Sequence, residues 1–280
     1  MNRTRDAIDA QARGRRRLFK HKLAADYGAF EAIWKSITVA RMEDFMLKRG
    51  KGRRRVFDCI NAAVTRHGAR LEALRLDKQP VALWAILKPR IAVALDADHP
   101  RDDQDCVCVN YFAAGWRPDS PGGCVSEGLW SAEVTDHALG RCLQRTPGVD
   151  LTEAIFAVHH AMLNVDARDL PQSPERAIPF RLRVGPATWM CEIRIGYDIS
   201  SNGYGAHIVV RNYLEFDQLS PRQETEPMIE PRPQANAFRL GDGWLMPHPF
   251  RRLRRDGALM FTDGPIGPPP LIALIGGPRQ

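Results

Sequence analysis

Residues 135–163 constrain this chain most, because their apolar positions recur at a period that suits two successive helices. Thr135 or Asp136 caps the first helix, since a side-chain oxygen there accepts from an N–H group of the opening turn. Ala138, Leu139, Cys142 and Leu143 then fall on one side of a 3.6-residue repeat, and His137, Arg141, Gln144 and Arg145 on the other. Pro147-Gly148 ends that helix. Asp150, with Glu153 three residues on, opens a second in the manner of a capping box, with Asp in place of Ser or Thr. Leu151, Ile155, Val158 and Met162 form its packed stripe, and it ends in His159-His160. The pattern predicts a helical hairpin with Leu139, Leu143, Ile155 and Val158 in the core and one imidazole with two guanidinium groups on a single polar face.

After this hairpin the period changes from helix to strand. Residues 180–184, 188–195 and 206–216 read as strands, the last two joined by a loop containing the turn pair Asn202-Gly203. In the second, Trp189, Cys191, Ile193 and Ile195 share a face and leave Glu192 and Arg194 opposite. In the third, Ile208, Val210, Leu214 and Phe216 share a face and leave His207, Arg211, Tyr213 and Glu215 opposite. One packed and one polar face is the usual state of antiparallel strands.

The segments before the hairpin are less sharply patterned. Leu18, Leu23, Tyr27, Phe30, Ile33, Trp34 and Ile37 recur at helical spacing, as do Met42, Phe45 and Met46. A further helix is expected over 56–74, with Val56, Cys59, Ile60, Ala63 and Val64 inward. Short strands are expected over 81–87 and 91–95, broken by Lys88-Pro89-Arg90, and another over 106–114. The Pro- and Gly-rich stretch 116–127 reads as a loop. Beyond the sheet, 220–234 reads as a Pro-rich linker, 238–246 as a hairpin around Gly241-Asp242-Gly243, and Arg251, Arg252, Arg254 and Arg255 as a second basic cluster. The expected class is α/β in the α+β sense: N-terminal helices, a mixed or antiparallel sheet with a helical hairpin, and a Pro-rich C-terminal tail. The expected division is a basic helical arm (1–55), an α+β core domain (56–217) and a linker with a C-terminal hairpin or tail (218–280).

The net charge of +7 matters through its placement. Arg15, Arg16, Arg17, Lys20, Arg53, Arg54 and Arg55 crowd the first fifty-five residues. They read either as an arm that tracks a phosphate backbone and releases counterions, or as solvated faces of ordinary packed helices. Arg194 on the polar sheet face is a further candidate phosphate contact. No apolar run is long enough to cross a bilayer, and the first residues lack the apolar stretch of a secretory signal. A cytoplasmic protein with no membrane partner is therefore expected, with its six cysteines reduced and several packed as small hydrophobes. There is no phosphate-cradling Gly-Lys-Ser/Thr loop, dinucleotide fingerprint or Gly-x-Ser-x-Gly elbow. His159-His160 reads as a metal pair or as cations favoured at a helix C-terminus. The cluster Asp96, Asp98, His99, Asp102, Asp103 and Asp105 reads as a cation site or a solvated acidic turn. Neither suffices for a metal site, and no cofactor is expected.

His137-Ala138, Arg141 and Arg145, closed by a turn and the amphipathic stretch 151–158, resemble the opening helices of short proteins in the barnase, EndoU, colicin and RelE superfamily of metal-independent ribonucleases, especially its toxin-like members. The resemblance implies RNA cleavage without a metal, and a partner protein of the antitoxin kind. Such cleavage needs a base, an acid and cations around phosphorus, roles that histidine and arginine suit. If the hairpin's polar face meets that of the sheet, His137, Arg141, Arg145, His207, Arg211 and Tyr213 form a catalytic group. If both faces look into water, they never meet. The rival expectations are a non-catalytic protein that binds RNA or DNA, and an adaptor whose basic arm meets an acidic protein.

Overall fold

The computed structural model describes residues 2–38, 44–45, 47–76, 81–91, 105–117, 120–127, 132–163, 165, 169–171, 177–198, 203–215, 219–231, 252–253 and 259–260. Its helices are α1 (Asn2–Thr38), α2 (Gly50–Thr65), α3 (Asp136–Arg145), α4 (Leu151–Leu163) and the short α5 (Pro221–Glu224). Its strands are β1 (Arg70–Arg75), β2 (Val81–Ile91), β3 (Asp105–Arg117), β4 (Ser120–Glu127), β5 (Glu133–Thr135), β6 (Ala177–Val184), β7 (Ala187–Asp198), β8 (Gly203–Glu215), β9 (Met228–Ile229), β10 (Arg252–Leu253) and β11 (Leu259–Met260). The class is α+β, with a mixed sheet and a helical hairpin. The chain divides into two compact units: Met1–Phe19 with Arg90–Cys108 and Ser131–Gln280, and Lys20–Pro89 with Val109–Trp130.

The first unit is built on the strand order β5-β8-β7-β6-β9, with Cys106 and Val107 at the start of β3 pairing antiparallel with β5. β5–β8 and β6–β9 are parallel, and β6–β7–β8 is an antiparallel meander. The register sorts the side chains. Ile178, Phe180 and Leu182 of β6 stand opposite Ile193, Cys191 and Trp189 of β7, which stand opposite Ile208, Val210 and Tyr213 of β8. All nine are buried and form the apolar face. α3 packs against β8 and α4 against β6. Leu139, Ile155 and Val158 are 0% exposed and Leu143 2%, so the hairpin's packed side lies where its periodicity placed it.

One element departs from simple alternation. Met190 pairs with Asn212 but Cys191 with Val210, which leaves Arg211 as an extra residue in a β-bulge. A bulge reverses the inside–outside phase beyond it. Tyr213 therefore joins Ile208 and Val210 on the apolar face, where its ring meets Trp189 edge-on at 4.8 Å, and Leu214 goes to the other side. The expected grouping of Leu214 with Ile208 and Val210, and of Tyr213 with His207 and Arg211, is corrected by this one residue.

In the second unit the strand order is β1-β2-β3, with β4 on β3. Its core is aromatic: Tyr27, Phe30 and Trp34 of α1, Phe57 of α2, Trp84 of β2 and Phe112 of β3. Trp34 meets Trp84 at 5.7 Å and Phe112 at 5.1 Å, while the Trp84 indole donates to Asn61 Oδ1 at 2.9 Å. Four sequence expectations are corrected here. The helix expected over 56–74 ends at Thr65, and Arg70–Arg75 is strand β1, paired with β2. α2 buries Arg53, Phe57, Ile60 and Val64, with Cys59 exposed rather than inward. β2 runs through Lys88-Pro89-Arg90 to Ile91 without a break. β1 pairs only with Val81–Ala85, so Pro89 lies beyond that ladder, where its missing N–H costs no bond to β1. Residues 120–127, expected as loop, form β4, with Pro121 at the start of the strand where a proline is tolerated. The tail is described only at β10 and β11, an antiparallel pair; the hairpin expected at 238–246 lies outside the described residues.

Candidate functional site

The site forms where β5 ends. Thr135 caps α3 by accepting from Ala138 N at 3.2 Å, and its hydroxyl donates to the Val210 carbonyl at 2.9 Å. One residue thus fixes the start of α3 to β8, directly beside the bulge. His137, exposed on the first turn of α3, and Arg211 are carried into the same neighbourhood. They line a cavity of about 450 Å³ together with Met190 and Asn212 of the sheet.

The remaining wall is residues 220–226. Ser220 and Gln223 form a complete capping box on α5, with Pro221 at the first turn. Arg181 ties down the residues between α5 and β9. Its backbone N–H donates to Pro227 O at 2.7 Å, and its guanidinium donates to the carbonyls of Glu226 and Glu224 at 2.9 Å each. β9 then pairs with β6. Read from sequence as linker, this segment is a strap that supplies Ser220, Arg222, Gln223 and Glu226 to the cavity. The S-P-R-Q capping signature was the available signal.

The polar sheet face behind the cavity is a chain of charges. Glu192 accepts from Arg194 Nε at 2.6 Å and pairs with Arg211 Nη1 at 2.9 Å; Arg211 Nη2 lies 3.9 Å from Glu226. Glu192 and Arg194 are buried, so this face does not look out into water as half-polar sheets usually do. Burial pushes the Glu226 carboxyl above its ordinary range, with Glu192 adding to the rise and Arg211, Arg181 and Arg222 opposing it. Two buried atoms here, Arg211 Nε and Glu226 Oε2, have no hydrogen-bond partner among the described residues.

The other candidate residues lie elsewhere. Arg141 donates to Gln144 Oε1 at 3.2 Å, and Gln144 donates to Asp9 of α1 at 2.9 Å. Arg145 is half-buried near the end of α3. The Tyr213 hydroxyl bonds Thr146 Oγ1 at 2.9 Å and clasps β8 to the end of that helix. His207 stands opposite Arg194 in the β7–β8 ladder, and its side chain lies outside the described residues. His137 and Arg211 therefore line one cavity, whereas Tyr213 is engaged on the apolar face.

Several basic residues have structural employment. Arg15 donates to the carbonyls of Pro147 and, at 2.7 Å, Val149, in the turn between α3 and α4. Arg16 pairs with Asp136 at 3.3 Å and lies so close to Gly140 that a Cβ there would stand 2.8 Å from its guanidinium. Arg53 is buried and donates to Phe45 O at 3.1 Å and Leu76 O at 3.0 Å. Arg54 is exposed, pairs with Asp58 and lies over the Phe57 ring. Lys20 is half-buried, while Arg17 and Arg55 are exposed.

His159 is buried, and burial, with His160 beside it, pushes its pKa down to about 3. It is neutral at neutral pH, so His159 supplies no cation at the end of α4. Cys106, Cys108, Cys142 and Cys191 are buried free thiols, and burial pushes Cys142 up to about 12. Among the described residues no group of three or more His, Cys, Asp or Glu is placed to hold a metal; of the acidic turn only Asp105 is described. No described helix is long and apolar enough to cross a membrane. No family model, curated protein or solved structure matches the chain.

Proposed function

We propose that this is a nucleic-acid-directed protein and that the cavity between α3 and the strap is a metal-independent endoribonuclease site. The observation that carries the reading is the convergence of His137, Arg211 and Arg222 on one cavity. An imidazole exchanges protons near neutral pH, and guanidinium groups match phosphate oxygens in pairs. In this reading the ribose 2′-oxygen attacks phosphorus and the bond to the 5′-oxygen breaks, leaving a cyclic phosphate and a 5′-hydroxyl. His137 exchanges a proton with one of these oxygens. The guanidinium groups stabilise the charge that builds on the phosphorane. Cytoplasmic placement, and a partner protein that caps the cavity as an antitoxin would, belong to the same proposal.

The experiment is incubation of labelled RNA with the purified protein in EDTA, beside His137→Ala and Arg222→Ala. His137 and Arg222 are exposed, so neither change removes packing. His137→Ala should lower the rate by about 10²–10⁴-fold. Cleavage that vanishes with chelator, or is untouched in His137→Ala, refutes the catalytic reading. Exposed Lys51, Arg54 and Arg55 on α2 favour a second reading, binding along a phosphate backbone without chemistry. Salt-dependent RNA binding without cleavage across varied RNAs would select it.

A further inference from the structure

Arg211 and Glu226 set a requirement on whatever enters the cavity. The guanidinium lies between two carboxylates, Glu192 at 2.9 Å and Glu226 at 3.9 Å, and Arg222 is the other guanidinium on the wall. A bare anion approaching Arg211 also meets the Glu226 carboxylate, which offsets much of the attraction. Arg211 Nε is a buried donor without an acceptor, and Glu226 Oε2 a buried acceptor without a donor, among the described residues. Leaving such atoms unpaired is costly, and hydrogen bonds to charged groups are the strong ones. A ligand held by these side chains must therefore offer an anionic oxygen to a guanidinium and a hydroxyl donor to the carboxylate side by side.

We infer that Glu226 is the specificity-determining residue of this cavity, selecting a phosphate that carries an adjacent hydroxyl, as the ribose 2′-hydroxyl beside its 3′-phosphate, over the same phosphate without one. This rests on the phosphate-binding part of the proposed function and adds the discrimination of RNA from DNA. Glu226 acts on binding: its carboxylate accepts the ligand hydroxyl while the guanidinium groups of Arg211 and Arg222 take the phosphate. Without that hydroxyl, the carboxylate gains no donor and faces an added negative charge. The groups that face it are Arg181 on β6, Glu192 on β7, Arg211 on β8, Arg222 on α5 and His137 on α3. The carbonyls that Arg181 holds belong to the backbone, so substituting the Glu226 side chain leaves the strap's anchors in place.

The test is calorimetric binding of adenosine 3′-monophosphate and its 2′-deoxy counterpart, which differ only in the hydroxyl, to wild type, Glu226→Ala, Glu226→Gln and Arg222→Ala. Wild type should prefer the ribonucleotide by about tenfold or more, the size of one charge-assisted hydrogen bond. Glu226→Ala should bring the preference close to one and strengthen binding of the deoxynucleotide, since Arg211 loses a competing carboxylate. Glu226→Gln, which keeps an acceptor, should retain part of the preference. Tighter deoxynucleotide binding also shows that Glu226→Ala is folded. Equal binding of both nucleotides by wild type, weakened in Arg222→Ala, overturns the inference and leaves the phosphate reading standing. An undiminished preference in Glu226→Ala overturns it too. If folded wild type binds neither nucleotide, the phosphate reading fails and the inference with it.

Discussion

Replacing His159 by Leu should flatten the acid dependence of stability. His159 is 1% exposed near the end of α4, 5.7 Å ring to ring from His160, and its pKa is about 3 in the folded chain. In the unfolded chain a histidine titrates near 6.5. Between these values the unfolded state binds a proton that the folded state refuses, so stability falls as pH drops through that window. At pH 7 the penalty is small, a few tenths of a kcal/mol, and at pH 5 it reaches roughly 2 kcal/mol. The assay is urea unfolding monitored by circular dichroism at pH 7, 6 and 5, for wild type and His159→Leu. Absolute stabilities will differ because the side chains pack differently, so the quantity to compare is the loss between pH 7 and 5. That loss should be smaller in the variant by about 2 kcal/mol. Glu226 shifts the other way, its raised carboxyl gaining stability on protonation, but it is common to both proteins and cancels. Equal pH slopes in the two proteins would refute the argument that His159 is buried neutral.

Leu139→Ala, removing a side chain that is 0% exposed, should cost roughly 2–5 kcal/mol in the same urea assay, and a loss below about 1 kcal/mol would mean that α3 does not pack as described. Arg53→Ala should destabilise by roughly 2–4 kcal/mol, because it strips the carbonyls of Phe45 and Leu76 of their buried donor. Arg55→Ala, on the exposed side of α2, should instead leave stability within about 0.5 kcal/mol and lower the slope of nucleic-acid affinity against salt by about one; the reverse pattern would exchange the roles of these two arginines.

The hairpin was legible because everything that specifies it is local. A cap at Thr135, a stripe at Leu139, Cys142 and Leu143, and a capping Asp150 all act within a few residues of themselves. Where the sequence misled, the deciding partner lay far along the chain. Arg70–Arg75 is made of Arg, Leu, Glu and Ala, all good helix formers, and becomes a strand because β2 offers it a ladder. Ser120–Glu127 has the composition of a turn and is a strand because β3 is beside it. On α2, Phe57 rather than Cys59 faces inward because the aromatic rings of α1 and β2 lie on that side, which the helix's own sequence does not state.

The site divides along the same line. His137 and Arg211 could be named from their residue types, but bringing them together depends on an extra residue in β8 and on the Thr135 hydroxyl reaching Val210 across the ladder. A bulge leaves no mark in an alternating sequence, since one added residue exchanges the faces beyond it without changing composition. That exchange takes Tyr213 away from the cavity and gives it a bond to Thr146. Glu226 was hidden for a different reason: a segment with few apolar residues resembles a linker unless something anchors it. The anchor is Arg181, whose three bonds go to backbone carbonyls and are therefore indifferent to the sequence they hold. The strap's backbone is thus held from β6, while its side chains at 222 and 226 are left to face the cavity. On this division of labour, substitutions at 222 and 226 change what the cavity accepts without unseating the strap, whereas a substitution at 223 also removes the capping bond from Ser220 N.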